Sequence, residues 1–147
     1  MLLDDRRRLL LSAIDRIFYI FKSGEGLLAG SWSGDKDKYV TVSSSYILCK
    51  GNNESHVHMD LETGGQYTTT EPAANKVYIT DFDVTKYKTL YIDIYGYGTG
   101  CKIGGISVSG RQTISIDVSN QTGTYTITGY SGLGPSSNIR IYNIWLE

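Results

Sequence analysis

His56, His58 and Asp60 alternate with Val57, Met59 and Leu61 in the run SHVHMDLE. In an extended strand this period of two puts two imidazoles and a carboxylate on one face, a donor set that suits zinc or a similar metal. A fixed geometry needs a further ligand from elsewhere, and a strand with one face in water explains the same pattern. The solvated face is the reading adopted, with no metal site and no cofactor expected. Asp35 and Asp37 in SGDKDK offer oxygens to calcium, but the spaced ligand set of a calcium loop is missing, so surface loop charge suffices. The stretch GYGTG, Gly96 to Gly100, lacks the following helix that a dinucleotide fingerprint requires and reads as a hairpin turn. No serine lies in G-x-S-x-G, and the two histidines share one strand. The chain is therefore expected not to be an enzyme.

A second group of residues points to binding. TLYIDIYGY alternates, with Leu90, Ile92 and Ile94 on one side and Tyr91, Asp93, Tyr95 and Tyr97 on the other. Tyrosine joins an apolar ring face to a polar tip, so a row of tyrosines with a carboxylate can stack sugar rings and hydrogen-bond their hydroxyls. Trp32 and Tyr130, each near glycines in apparent loops, are expected to extend such a platform. The alternative is that these rings pack under a loop, under an N-terminal helix or against a partner subunit.

The elements that must carry these residues are mostly strands. IFYIFK, YVTV, SYILCK, SHVHMDLE, KVYIT, TLYIDIYGY, CKIGGISV, QTISIDV, TYTITGY and NIRIYNIWLE are short runs of period two or of continuous apolar character, separated by Gly, Ser and Asn turns. SWSGDKD and GGQYTTTEPAAN are expected to be loops, and DFDVTKYK an irregular connection. Strands at this spacing predict an all-β, antiparallel β-sandwich or jelly roll over residues 17–147. Residues 1–16 differ. Leu3, Leu10, Ile14 and Ile17 recur at helical spacing, which predicts one short N-terminal helix and a candidate oligomerisation surface. So short a helix must pack on something to be stable.

Composition agrees with this division. The chain of 147 residues holds 12 Tyr and 17 Gly beside only 2 Pro, which favours strands and turns and suits one domain. The net charge of −1, with Lys and Arg scattered singly after the first few residues, argues against nucleic acid as a partner. No stretch reaches the roughly 18 apolar residues of a membrane span, so no membrane insertion is expected. Asp4, Asp5, Asp15 and Arg16 interrupt what would otherwise look like a signal peptide, so export by that route is not expected. Cys49 and Cys101 each sit in an apolar run and read as buried, unbridged core residues.

Three stretches carry a family resemblance. IFYIFKSGEGLLAGSW, VYITDFDVTKYKTLYIDIYG and SSNIRIYNIWLE resemble the opening strand and Gly-Trp loop, the middle segment and the closing strand of C-terminal β-sandwich domains in bacteriophage tail and minor structural proteins. Such domains are similar in fold to carbohydrate-binding modules. The resemblance implies a virion component of a phage tail, made in the bacterial host cytoplasm. It further implies a homo-oligomer, with a trimer favoured, whose partners are other tail proteins and a bacterial surface polysaccharide. It supplies no catalytic residues. A phage tail protein usually carries a longer attachment region ahead of this domain. A purely structural assembly domain and a free-standing carbohydrate-binding module are therefore the alternatives.

Overall fold

The computed structural model describes residues 17–34 and 37–147. The expected helix over 2–16, with Leu3, Leu10 and Ile14, lies outside the described residues, as does Asp35. Ile17 is half exposed just ahead of the first strand.

The described residues form fourteen strands: β1 (Phe18–Lys22), β2 (Gly26–Leu27), β3 (Ser31–Gly34), β4 (Val40–Val42), β5 (Ile47–Lys50), β6 (Asn52–Met59), β7 (Gln66–Ala73), β8 (Lys76–Asp83), β9 (Thr89–Tyr97), β10 (Lys102–Ile103), β11 (Ile106–Ser107), β12 (Gly110–Asp117), β13 (Thr124–Tyr130) and β14 (Asn138–Leu146). One 3-10 turn, Asp37–Tyr39, precedes β4. A seven-stranded sheet runs β12-β9-β14-β1-β2, with β5 also on β14 and β4 on β5, and a five-stranded sheet runs β11-β10-β13-β8-β3. From β8 onward each strand-to-strand connection crosses between these sheets, except the tight β10–β11 hairpin. That alternation is the jelly-roll form of an antiparallel sandwich, as the strand pattern predicts. Gly104 and Gly105 close the β10–β11 hairpin with φ of 54° and 79°, the paired positive values a two-residue type I′ turn needs.

The core lies between the sheets. Leu90, Ile92 and Ile94 of β9, Ile139, Ile141, Ile144 and Leu146 of β14, Val77 and Ile79 of β8, and Ile127 of β13 are all buried. β-Branched side chains dominate because each strand buries one face only, and a stiff branched side chain packs well on a pleated surface. β14 is the central strand of the larger sheet. Asn138–Ile141 pairs with β5, Asn143–Leu146 with β1, and both halves pair with β9 on the other edge. Cys49 and Cys101 are buried and unbridged, as expected. Burial raises the Cys101 thiol above its ordinary pKa.

Several local expectations are corrected. SWSG is β3 and QYTTTEPA is β7, both expected as loops, and β8 extends through Asp83 into the stretch expected to be irregular. Thr- and Ser-rich strands with little apolar content carry weak period-two signals, and only their partners hold them extended. GYGTG is not a hairpin turn but the corner by which β9 in one sheet leads to β10 in the other. The largest difference concerns SHVHMDLE. Among the described residues its β6 pairs only with β7, in a two-stranded ribbon, and Val57, Met59 and Leu61 are exposed rather than turned to a core.

The ribbon is fixed at its root. The Asn75 side chain donates to the Lys50 carbonyl (2.6 Å), its backbone N–H donates to Ser131 Oγ (2.9 Å), and Gly51 N–H donates to the Ser137 carbonyl. Gly51 is glycine because any Cβ there would press on the carbonyl oxygens of Gly134, Gly132 and Ala73.

Candidate functional site

The outer face of the seven-stranded sheet carries the expected tyrosines and several side chains beside them. Along β9, Tyr91, Asp93 and Tyr95 are half-exposed and Tyr97 is exposed, while Leu90, Ile92, Ile94 and Gly96 between them are buried. Registers extend this face in rows, because directly opposed residues in an antiparallel ladder share a side. Tyr19 of β1, Trp145 of β14, Tyr91 of β9 and Ser115 of β12 form one row, and Asn143, Asp93 and Thr113 the next. Arg140, Tyr95 and Arg111 form a third.

Tyr91 and Trp145 stack with centroids 5.2 Å apart and planes 18° apart, and Tyr19 lies 6.2 Å beyond Trp145, tilted by 35°. The stacking distance is close to the strand spacing of about 4.8 Å. The two rings therefore stand edge-up on the sheet, face to face across the strands. On the β12 side the residue directly opposite the half-exposed Tyr91 is Ser115, which has a small side chain. Thr113 and Ser115 are exposed on this edge strand. The result is a shelf over β12, walled by Tyr91 and floored by hydroxyls.

Charge closes one end of the shelf. Arg111 grips Asp93 with two bonds, Nε to Oδ1 at 2.7 Å and a terminal nitrogen to Oδ2 at 3.0 Å, and Asn143 Nδ2 adds a third at 3.1 Å. These donors, Arg111 foremost, outweigh partial burial and hold the Asp93 carboxyl below its usual pKa, while Asp93 raises that of Arg111. The guanidinium also lies 3.8 Å from the Tyr142 ring centre, and Tyr142 in turn lies 6.2 Å from Tyr46. Arg140 sits over Tyr46 at 5.7 Å and Lys22 over Tyr19 at 4.8 Å. The face carries aromatic ring surface, the hydroxyls of Thr113 and Ser115, one carboxylate and one guanidinium, groups that can stack on and hydrogen-bond a ligand.

Two residues expected on this platform lie elsewhere. Trp32 is on β3 opposite Ile79, and Tyr130 on β13 opposite Lys76 and Lys102, both in the five-stranded sheet. The glycines near them had suggested loops, but both positions are strand. Trp145, Tyr19, Tyr142 and Arg111 were missed in the sequence. The signal in NIRIYNIWLE is hidden by a bulge between Ile141 and Asn143, which moves the buried positions from Ile139 and Ile141 to Ile144 and Leu146. Read as one strand the segment looks apolar throughout; split at the bulge, Trp145 falls on the outer face.

On the ribbon, His58 stacks on Tyr67 and its Nε2 lies 2.9 Å from Thr69 Oγ1, while His56 Nε2 is 3.7 Å from Glu71. Asp60 instead accepts the backbone N–H groups of Glu62 and Thr63 in the ribbon's turn. Among the described residues no three of His, Cys, Asp and Glu gather where they could hold a metal. No family model and no curated protein matches the chain.

Proposed function

We propose that the chain is a non-enzymatic recognition module of phage-virion type that binds a bacterial surface glycan on the shelf over β12. The observation that carries this reading is the half-exposed Tyr91 beside the exposed hydroxyls of Thr113 and Ser115, with the Asp93–Arg111 pair in the next rows. A pyranose ring would lay its C–H face on Tyr91 and bond its hydroxyls to Thr113, Ser115 and Asp93, using apolar contact for affinity and directed hydrogen bonds for specificity. The resemblance to tail-protein domains supports the virion setting and a trimer, in which three weak sites would act together. An array of bacterial polysaccharide fragments is the test. Binding should fall about tenfold or more in Tyr91→Ala, and Tyr91→Phe should retain most of it. Binding unchanged by Tyr91→Ala would refute the shelf as the site.

A second reading, a purely structural assembly domain, draws on the exposed Val57, Met59 and Leu61 of the ribbon. Light scattering on the purified chain separates them. An oligomer that becomes monomeric when Met59 and Leu61 are made polar, in a protein that binds no glycan, favours assembly.

A further inference from the structure

The opposite face of the sandwich carries a different arrangement. Lys76 of β8, Tyr130 of β13 and Lys102 of β10 are directly opposed in consecutive registers, so the three side chains stand in one row with the tyrosine in the middle. They line a hollow of about 480 Å³ together with Thr128, Leu133, Gly100 and Gly105. Gly100 and Gly105 leave the rim open, since nothing lies within 4 Å of where their Cβ atoms would be. Leu133 is 48% exposed, an apolar wall in contact with water.

Two features bear on this hollow. Neither lysine makes an ion pair among the described residues, so both charges are available to a ligand. The two lysines are also only two strand spacings apart, about 10 Å. That is a gap two flexible four-carbon stems can close over one anion. The lysine stems, the Tyr130 ring and Leu133 are apolar, so the charge is concentrated at the mouth of a largely apolar hollow. Inorganic ions alone would leave those apolar surfaces unused. A neutral sugar would leave both ammonium groups unused.

We infer that this hollow is a second ligand site, which holds a sugar ring carrying one acidic group, with the anion between Lys76 and Lys102 and the ring on Tyr130 and Leu133. The acidic group is a carboxylate or a phosphate, both of which accept charge-assisted hydrogen bonds from lysine. The site is on the other sheet from the shelf over β12 and does not depend on it.

The test is an amide NMR titration of the full chain with four probes: glucuronate, glucose 6-phosphate, glucose and inorganic phosphate. One or both acidic sugars should shift the signals of Lys102, Gly105 and Tyr130 and bind about tenfold or more tighter than glucose. Which acidic sugar binds better identifies the acidic group. The preference should vanish in the double variant Lys76→Gln/Lys102→Gln and weaken with added salt, because the lysines are exposed and screened. Tyr130→Ala should weaken the acidic sugars while leaving inorganic phosphate unchanged. Tyr91→Ala should leave the shifts of Lys102, Gly105 and Tyr130 as they were and remove only shifts on β9 and β12, so failure of either site is read separately from the other. The inference is overturned if glucose shifts the signals of Lys102, Gly105 and Tyr130 at the same concentration as its acidic relatives, if inorganic phosphate matches them there, or if only signals away from the hollow shift. Absence of any shift overturns it too. All four substituted residues are exposed or half-exposed, and a dispersed amide spectrum checks that each variant is folded.

Discussion

Asp93 and Arg111 meet on an exposed sheet face, where water screens their attraction. A double-mutant cycle on Asp93→Asn and Arg111→Gln should therefore return about 1 kcal/mol or less of coupling in stability. The sign of its pH dependence follows from the lowered Asp93 pKa. The carboxylate is ionised in the fold at a pH where the unfolded chain, near its ordinary value of about 3.9, has begun to bind a proton. The pair's contribution is complete above that unfolded value and disappears as pH falls through the lower folded one. Acid unfolding of Asp93→Asn should accordingly lose part of its slope below about pH 4 and match the parent's slope at neutral pH. Urea melts at pH 3 and pH 7 would show this; an equal loss of stability at both would mean that packing, not charge, holds Arg111. Ligand binding at the shelf should for the same reason be insensitive to pH between about 5 and 8.

At the scale of elements, β14 decides the sandwich because three strands pair with it. Ile141 and Ile144, on either side of its bulge, are fully buried, and Ile144→Ala should cost about 2–5 kcal/mol in a urea melt. The ribbon depends instead on its root. Gly51→Ala would push a methyl into a cup of carbonyl oxygens, two of them at 2.7 and 2.9 Å. It should cost about 1–3 kcal/mol and loosen β6 and β7 first, seen as faster amide exchange there than in β9. These elements differ in how far the sequence reveals them. β9 is legible residue by residue, since its alternation is unbroken and both sides of it fall as expected. β7 is not, because QYTTTEPA lacks an apolar side. For SHVHMDLE the alternation is real but the apolar side meets no core, and no local pattern distinguishes a strand over a core from one that stands away from it. At the shelf, Tyr91, Asp93, Tyr95 and Tyr97 are readable from one strand, whereas Trp145 and Arg111 join them only through registers of high sequence separation.

Across the whole molecule the parts are sorted between two ends. Phe18 lies opposite Leu146, and the Glu147 carbonyl accepts from Lys88 and Thr89, so the first and last strands meet at one end. The ribbon leaves from the other, beside the Lys50–Asn138 pairing, and the hollow between Lys76 and Lys102 opens near its root. Mechanical load would divide these two directions sharply. Tension applied between residues 17 and 147 pulls β1 and β14 apart sideways, so their hydrogen bonds yield one after another, as a zip opens, at low force. Tension between residue 17 and the ribbon's turn draws β1 and β5 in opposite directions along β14, and both ladders must shear at once. Single-molecule pulling with handles at the two pairs of positions should find the second geometry distinctly stronger, so that this fold gives way easily when its ends are parted and holds when it is tugged by its arm.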